Sequence, residues 1–364
     1  MPIVESIFCA ARALRDEVFQ FSFRYPLLEV PAAGPRDSLH YYFYSDKLAW
    51  KAMRMDSNGI PRAWYRQTGS AYWPAYIAWY GPVNLGHYER KNDSACLDIF
   101  LKQIDWLEVN AVVRSDGAVV WPMNFDYIVG ETRLKSPWIS AHAQGFAISA
   151  LVRGWRITRR PRLLELLAGS ARIFSLSVPD GGIRITMDGH VLYTEVPGGR
   201  APGILDGIVI SLLGLHDLYI ETADPEVGRL LNDGVAGLKN TLAYWNYRDK
   251  WSWYHNRGYL SPPAYHCLHH VLLKVLARLT SEPVFAHYAG LWDPARLSAL
   301  DRAEVYLAFL CTKNRGRLKH RTWSQTAKPA VALSKVEPTK AESVASALSK
   351  PRPDYDNQPV VIRQ

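Results

Sequence analysis

Cysteine is scarce in this sequence, with four residues in 364. They are scattered along the chain as Cys9, Cys96, Cys267 and Cys311, and no two of them have CxxC spacing. A disulfide framework or a cysteine-rich zinc site needs closely spaced cysteines. The sequence therefore predicts reduced thiols and does not indicate a structural metal site.

Long apolar runs are also missing. No stretch approaches the roughly 20 apolar residues that span a bilayer. The first residues include Glu5 and Arg12 and contain no apolar run of signal-peptide length. The default expectation is a cytoplasmic protein.

Acidic residues are few near the C-terminus, where residues 313–364 contain eleven Lys or Arg and four Asp or Glu. The formal net charge of +9 therefore belongs mostly to this part, which carries +7 and leaves the rest of the chain at +2. Because the folded body is nearly neutral, no nucleic-acid partner is expected. Residues 321–364 are predicted to be a disordered basic tail, and its contact with an acidic membrane surface or an anionic glycan stays open.

Aromatic residues, in contrast, are abundant, with 13 Trp and 20 Tyr. Their rings can stack on the apolar faces of pyranose rings, so this composition suits a sugar-binding cleft. Residues 1–88 are predicted to form an N-terminal helix followed by an aromatic-rich irregular or β region that packs on the main domain.

Helical patterns recur through residues 89–320, separated by loops rich in Gly, Pro and aromatic residues. Helix hairpins arranged around an axis bury one another's faces and gather their loops at two rims. The predicted fold is mainly α, an incomplete (α/α) toroid of helix hairpins with a small inserted β-hairpin. A plain helical bundle or solenoid is the alternative.

One predicted helix, SPWISAHAQGFAISALVRGW, covers residues 136–155 and opens with Ser-Pro, which favours a helix start. Its apolar residues lie nearly all round the helix, and such a helix is buried. Its first part nevertheless carries Ser140, His142 and Gln144. We interpret it as a helix of an inner ring whose open end is a binding site.

A β-hairpin is predicted over residues 182–195, because the Asp-Gly pair at 188–189 favours a two-residue turn. Alternation along the strands then places Tyr193 and Glu195 on the same face, together with Arg184. The hairpin would thus present a carboxylate beside a phenol.

Several phrases resemble the C-terminal domain of D-glucuronyl C5-epimerases, which act on heparosan and heparan sulfate precursors. The likeness runs in order from about Tyr72 to Pro294, starting with YWPAYIAWYG. The later matching phrases are WISAHAQGFAISALVRGW, LYTEVP, ILDGIVISLLGLHDL, WYHNRG and AYHCLHH. The family's β-rich domain, between the YWPAYIAWYG-like phrase and the helical domain, is expected to be largely absent here, so substrate grip and a homodimer built through that domain both stay open.

The resemblance implies a catalytic set of four residues: Glu195, Tyr265, Tyr254 and Arg257. Removal of a proton beside a carboxylate needs a base, an acid on the opposite face and positive charge at that carboxylate. Glu195 would be the base, Tyr265 the acid, and Arg257 would pair with the substrate carboxylate. Tyr254 would hydrogen-bond the intermediate or hold the arginine. The expected substrate-binding residues are Tyr193, Gln144, His142, His266, Trp138 and Tyr80.

Two positions depart from the family pattern. Val196 stands where the family has a tyrosine directly after the glutamate, and Asp206 stands where it has asparagine. Tyr193 could partly replace the missing phenol.

The expected function is C5-epimerisation of D-glucuronic acid residues in a uronic-acid-containing polysaccharide, without a cofactor or metal. His266 and His269 have His-x-x-His spacing, but a zinc site needs further ligands. Two alternatives stay open: a polysaccharide lyase, whose β-elimination shares the C5 carbanion, and a non-catalytic glycan-binding protein.

Overall fold

The computed structural model describes residues 28–30, 39–45, 53–65, 67–129, 132–198 and 203–323, with side chains described up to residue 312. The predicted N-terminal helix, over about the first 25 residues, lies outside the described residues. The same holds for nearly all of the predicted disordered tail, since only residues 321–323 fall within them, as the end of the last helix.

Most of the described chain is helical and forms four consecutive helix pairs. The pairs are α1 (Pro74–Lys91) with α2 (Ser94–Val109), α3 (Ala141–Thr158) with α4 (Pro161–Ser170), α5 (Leu205–Thr222) with α6 (Pro225–Thr241), and α7 (Pro263–Thr280) with α8 (Pro283–Leu291). A ninth helix in the described residues, α9, spans Ala299–Trp323. Among these residues, no helix is both long and apolar enough to cross a membrane.

The first helix of each pair is an inner helix and the second an outer one. Inner helix α5 is buried without interruption from Leu205 to Leu218, as an all-round apolar helix should be. Outer helix α2 is amphipathic, and it buries Phe100, Ile104 and Leu107 on one face. The residues of each helix therefore determine its layer.

The inner helices follow one another in an arc. Each helix pair packs internally, and α1 packs on α3, α3 on α5, and α5 on α7. No comparable interface joins α7 to α1 in the described part of the chain, so the arc does not close into a ring. This arrangement confirms the prediction of a mainly α fold built as an incomplete toroid of helix hairpins.

Glycines allow the closest approach between inner helices, where α3 crosses α5. A Cβ atom on Gly145 would lie 2.4 Å from the carbonyl oxygen of Ile210 and 2.7 Å from the Cα of Ser211. A Cβ atom on Gly214 would lie 2.5 Å from the Cα of Gly145. Since side chains cannot occupy these spaces, the two backbones are in direct contact.

The strands form small antiparallel sheets between the helices. Their bounds are β1 (Leu28–Glu29), β2 (Tyr44–Ser45), β3 (Met53–Met55), β4 (Pro61–Tyr65), β5 (Gly69–Tyr72), β6 (Val112–Val113), β7 (Val119–Val120), β8 (Tyr127–Val129), β9 (Thr132–Leu134), β10 (Arg184–Met187), β11 (His190–Tyr193), β12 (Asn246–Tyr247), β13 (Trp251–His255) and β14 (Tyr259–Leu260). The three-stranded sheets are β3-β4-β5 and β12-β13-β14, and the other strands pair two by two.

The predicted β-hairpin is present as β10 and β11. Asp188 and Gly189 both have positive φ, of 51° and 83°, as a type I′ turn requires. The register pairs Met187 with His190 and Arg184 with Tyr193. The Asp-Gly turn therefore predicted both the position and the register of the hairpin correctly.

The predicted helix start at Ser136 was wrong by one turn. Ser136 and Pro137 are joined by a cis peptide bond, and Trp138 forms backbone hydrogen bonds with Met123 in both directions. Helix α3 begins at Ala141, with Ser140 as its N-cap. The domain boundary at residues 88 and 89 stays a prediction, although α1 runs across it.

Candidate active site

A cluster of polar side chains lies at one end of the arc, where all four inner helices begin. The first turn of each helix contributes one side chain: Tyr76 from α1, His142 from α3, Asp206 from α5 and Tyr265 from α7. These groups interact electrostatically with one another across the arc. Because a helix carries partial positive charge at its N-terminus, this end of the arc favours an anion.

Glu195 reaches the cluster because the chain bends at the end of β11. The Ala141 N–H, at the start of α3, donates a hydrogen bond of 3.1 Å to the Thr194 carbonyl oxygen. The Thr194 hydroxyl in turn accepts from the Val196 N–H at 3.2 Å. The Glu195 side chain lies against Gly207 of α5, where an added Cβ would be 2.4 Å from the Glu195 Oε2 atom. A side chain on residue 207 would displace the carboxylate.

The Glu195 carboxylate is poorly solvated. Its side chain is 22% exposed, and its Oε2 atom lies 3.7 Å from the Nδ1 atom of His142. This buried oxygen accepts no hydrogen bond from any described residue. Burial raises the pKa of Glu195 well above the ordinary value for glutamate, and the nearby charge of Asp206 raises it further. A carboxylate in this setting is a strong base for its type.

Two of the predicted phenols lie together beside Glu195. The rings of Tyr254 and Tyr265 are in edge contact, with centroids 4.8 Å apart. Burial raises the pKa of both hydroxyls well above the ordinary value, with the charge of Asp206 as the next cause and that of Glu195 contributing. Both phenols are therefore protonated donors close to the carboxylate.

The turn that follows β13 attaches this strand to the start of α5. The Gly203 N–H donates to the Asn256 side-chain oxygen at 2.9 Å, and the Asn256 N–H donates to the Gly203 carbonyl oxygen at 3.2 Å. Arg257 is exposed in the same turn, and no described carboxylate lies within ion-pair distance of its guanidinium. Its charge, after burial, helps to lower the pKa of His255 to about 4. The guanidinium is thus an exposed cation in the turn that follows β13.

Sequence analysis missed three further tyrosines. The hydroxyls of Tyr65 in β4 and Tyr76 in α1 are hydrogen-bonded to each other. Burial raises the pKa of Tyr127 in β8 to about 12, and the charges of Tyr65 and Glu195 contribute. Tyr76 lies in the phrase YWPAYIAWYG, so the resemblance could have indicated it. Tyr65 and Tyr127 have no comparable signal in the sequence.

Besides Glu195 and His142, a second carboxylate and imidazole lie close together: Asp206 and His269. The Oδ1 atom of Asp206 lies 3.7 Å from the Nε2 atom of His269, and both side chains are almost fully buried. The Nδ1 atom of His269 is 2.9 Å from the Ser252 hydroxyl. The sequence had marked Asp206 as a departure from the family pattern but assigned it no role.

Two of the predicted substrate-binding residues lie in the core. Tyr193 is fully buried, donates its hydroxyl to the Leu230 carbonyl oxygen at 2.6 Å and packs edge-on against Phe174. The bend after Thr194 turns Glu195 away from it, so strand alternation does not extend to Glu195. Gln144 is also buried, and its amide nitrogen donates to the carbonyl oxygens of Val119 and Ser170. The structure corrects the expectation that Tyr193 and Gln144 bind a ligand, because both side chains are buried and connect elements of the core.

The other four predicted binding residues differ in their placement. His142 lies in the cluster beside Glu195, whereas His266 is fully buried and stacked on Trp251 with centroids 3.6 Å apart. Trp138 is buried behind Tyr127, with the two rings stacked at 6.4 Å. Tyr80 lies one turn after Tyr76 and is 9% exposed. Of these four residues, His142 is therefore the one that the structure places beside the Glu195 carboxylate.

A metal site needs several His, Cys, Asp or Glu ligands close together. No group of three or more His, Cys, Asp or Glu side chains among them is arranged to hold a metal ion. Cys96, Cys267 and Cys311 are free thiols. The side chains that the structure places in the cluster are two carboxylates, phenols and imidazoles.

Comparison with known proteins gives three findings. Residues 115–294 match the family model described as D-glucuronyl C5-epimerase C-terminus. A D-glucuronyl C5-epimerase from Caenorhabditis elegans is 28% identical over 214 residues, which are 53% of this chain and 34% of that protein. The structure of the GH76A alpha-1,6-mannanase from Salegentibacter sp. HEL1_6 matches with a TM-score of 0.39 and 12% identity, over 66% of this chain and 63% of the other. The chain thus spans about a third of the epimerase, and through residues 115–294 it belongs to the family of D-glucuronyl C5-epimerase C-terminal domains.

Proposed function

We propose that this protein is a C5-epimerase that converts D-glucuronic acid residues of a heparosan-like polysaccharide to L-iduronic acid. The main support is one observation: a carboxylate with a raised pKa and two protonated phenols lie together where four helix N-termini meet. This arrangement offers a base and an acid around a single anionic sugar. Membership of the epimerase family supports the same reaction class.

The proposed step begins with Glu195 taking the proton from C5 of the uronate. The electron pair of the C–H bond moves into the carboxylate of the sugar and forms an enediolate. Tyr265 then donates its proton to C5 from the opposite face, which inverts the configuration. Glu195 ends protonated and Tyr265 ends ionised, and exchange with water restores both groups. Tyr254, in ring contact with Tyr265, would donate a hydrogen bond to the intermediate or to the ionised Tyr265.

The substrate carboxylate needs positive charge, because the enediolate carries a second negative charge beside it. Arg257 can provide this charge through two parallel hydrogen bonds, since its guanidinium is exposed and pairs with no described carboxylate. The partial charges at the N-termini of the inner helices act in the same direction. Stabilisation of developing charge by fixed donors is commonly the largest contribution to such catalysis.

The proposal is tested with heparosan oligosaccharide in deuterium oxide. We expect deuterium at C5 of the uronate and iduronate signals in the NMR spectrum. Glu195→Gln should abolish the exchange and leave the circular dichroism spectrum and the melting temperature nearly unchanged. Absorbance from an unsaturated uronate would instead show a lyase, and binding without exchange or elimination would show a glycan-binding protein. Either result would reject the epimerase proposal.

A further inference from the structure

Asp206 and Glu195 are two neighbouring carboxylates in one poorly solvated space. Glu195 lies against Gly207, the residue that follows Asp206 in the first turn of α5. The Oε2 atom of Glu195 and the Oδ1 atom of Asp206 are both buried, and neither accepts a hydrogen bond from a described residue. Two like charges so placed oppose each other, so the pair tends to hold one proton.

The surroundings favour the negative charge on Asp206. It is the second residue of α5, where the partial positive charge of the helix stabilises an anion. The Nε2 atom of His269 faces it at 3.7 Å. Glu195 follows a strand, and the imidazole that faces it is His142, also at 3.7 Å. Burial lowers the pKa of His142, so this imidazole is neutral and offers no counter-charge.

The other titratable groups around the pair do not reverse this preference. They are uncharged phenols, contributed by five different elements, and burial raises the pKa of each. Among the described residues, the titratable groups facing the pair are Tyr65 in β4, Tyr76 in α1, Tyr127 in β8, His142 in α3, Tyr254 in β13, and Tyr265 and His269 in α7. None of the phenols can balance the charge of a second carboxylate.

We propose that Asp206 is a positioning residue whose fixed negative charge makes Glu195 a stronger base and determines the pH above which Glu195 can accept the C5 proton. This inference rests on the proposed function for its catalytic consequence. The proton distribution in the pair does not depend on that function. A stronger base removes a weakly acidic C5 proton faster, but because its pKa is higher it is deprotonated only at a higher pH.

The first measurement follows the protonation of Glu195 directly by NMR. In protein with ¹³C-labelled glutamate side chains, the Glu195 signal is identified by its loss in Glu195→Gln and followed against pH without substrate. In the wild-type protein, the pH midpoint of the Glu195 titration should lie clearly above the ordinary range of glutamate. In Asp206→Asn the midpoint should fall by about one pH unit or more, because a like charge has been removed. Asp233→Asn is the matched control, since it removes a carboxylate that pairs with Arg229 on the outer helix α6, and should leave the midpoint unchanged.

The second measurement is the pH dependence of C5 deuterium exchange. In Asp206→Asn the rising limb of the profile should move to lower pH by the same amount as the NMR midpoint. The limiting rate above both midpoints should fall roughly threefold, as expected for a weaker base. If the role of Asp206 were purely structural, Asp206→Asn would lower the exchange rate at every pH without moving the rising limb of the profile.

The outcomes separate the two proposals. An ordinary Glu195 midpoint in the wild-type protein overturns the role of Asp206, and this measurement needs no variant to fold. An unchanged midpoint in a folded Asp206→Asn protein overturns it as well. A shifted midpoint in a protein that shows no exchange at any pH supports the carboxylate pair and rejects the epimerase proposal instead.

Discussion

Gly207→Ala is the sharpest test of where Glu195 lies. The new Cβ would be 2.4 Å from the Glu195 Oε2 atom and 2.7 Å from its Cβ atom, whereas ordinary carbon contacts lie near 3.5–4.0 Å. The carboxylate must therefore move by about 1 Å or more. A displacement of this size at a reacting group costs about 100-fold in rate. We expect a loss of that order in C5 exchange, measured as deuterium incorporation under saturating substrate.

The same substitution should affect stability much less. Alanine is favoured over glycine inside a helix by up to about 1 kcal/mol, which partly offsets an overpacking cost of about 1–3 kcal/mol. The free energy of unfolding in urea should thus change by about 2 kcal/mol or less. Gly290→Ala in α8 is the matched control, because its added Cβ meets nothing within 4 Å, and it should leave the exchange rate unchanged. A C5 exchange rate in Gly207→Ala equal to that of the wild-type protein would refute the placement of Glu195 against Gly207 or its role as the base.

Three further predictions concern the scaffold and the corrected residues. Gly145→Ala should lower the free energy of unfolding by about 3 kcal/mol, because its Cβ meets the backbone of α5 at 2.4 Å, and a loss below about 1 kcal/mol in urea denaturation would contradict the crossing. Tyr193→Phe leaves the Leu230 carbonyl oxygen without its donor and should cost about 1–2 kcal/mol of stability with no change in C5 exchange, so a large loss of exchange would return Tyr193 to the site. Arg153→Met leaves Asp217 uncompensated, since the two buried side chains are 2.7 Å apart, and should cost about 3–5 kcal/mol. Thermal or urea unfolding checks this value, and a cost below about 1 kcal/mol would show that the pair is not buried in solution.

Much of the scaffold could be predicted because it depends on local patterns. The all-round apolar character of residues 141–154 and the amphipathic character of the following segments distinguish inner from outer helices. The Asp-Gly pair at 188–189 specified a hairpin and its register. The first helix turn was misplaced because a Ser-Pro pair is only a local preference, and the backbone pairing of Trp138 with Met123 comes from elsewhere in the chain.

The site was only partly predictable. Family phrases indicated Glu195, Tyr254 and Tyr265, which the structure brings together, and Arg257, which is exposed in the turn after β13. Strand alternation failed at Glu195, because Thr194 is tied to the start of α3 and the chain bends there. Tyr65 and Tyr127 come from separate short strands, so nothing in the sequence relates them to the cluster.

The sequence by itself determined which segments become inner helices, where the inserted hairpin turns, and where glycine permits two helices to touch. These follow from hydrophobic periodicity, turn preferences and side-chain size, which act over a few residues. Only the tertiary structure decided that the first turns of four helices meet around one carboxylate, and that Asp206 stands beside Glu195. Electrostatic coupling depends on distance in space and on exclusion of water, and neither exists before the chain has packed.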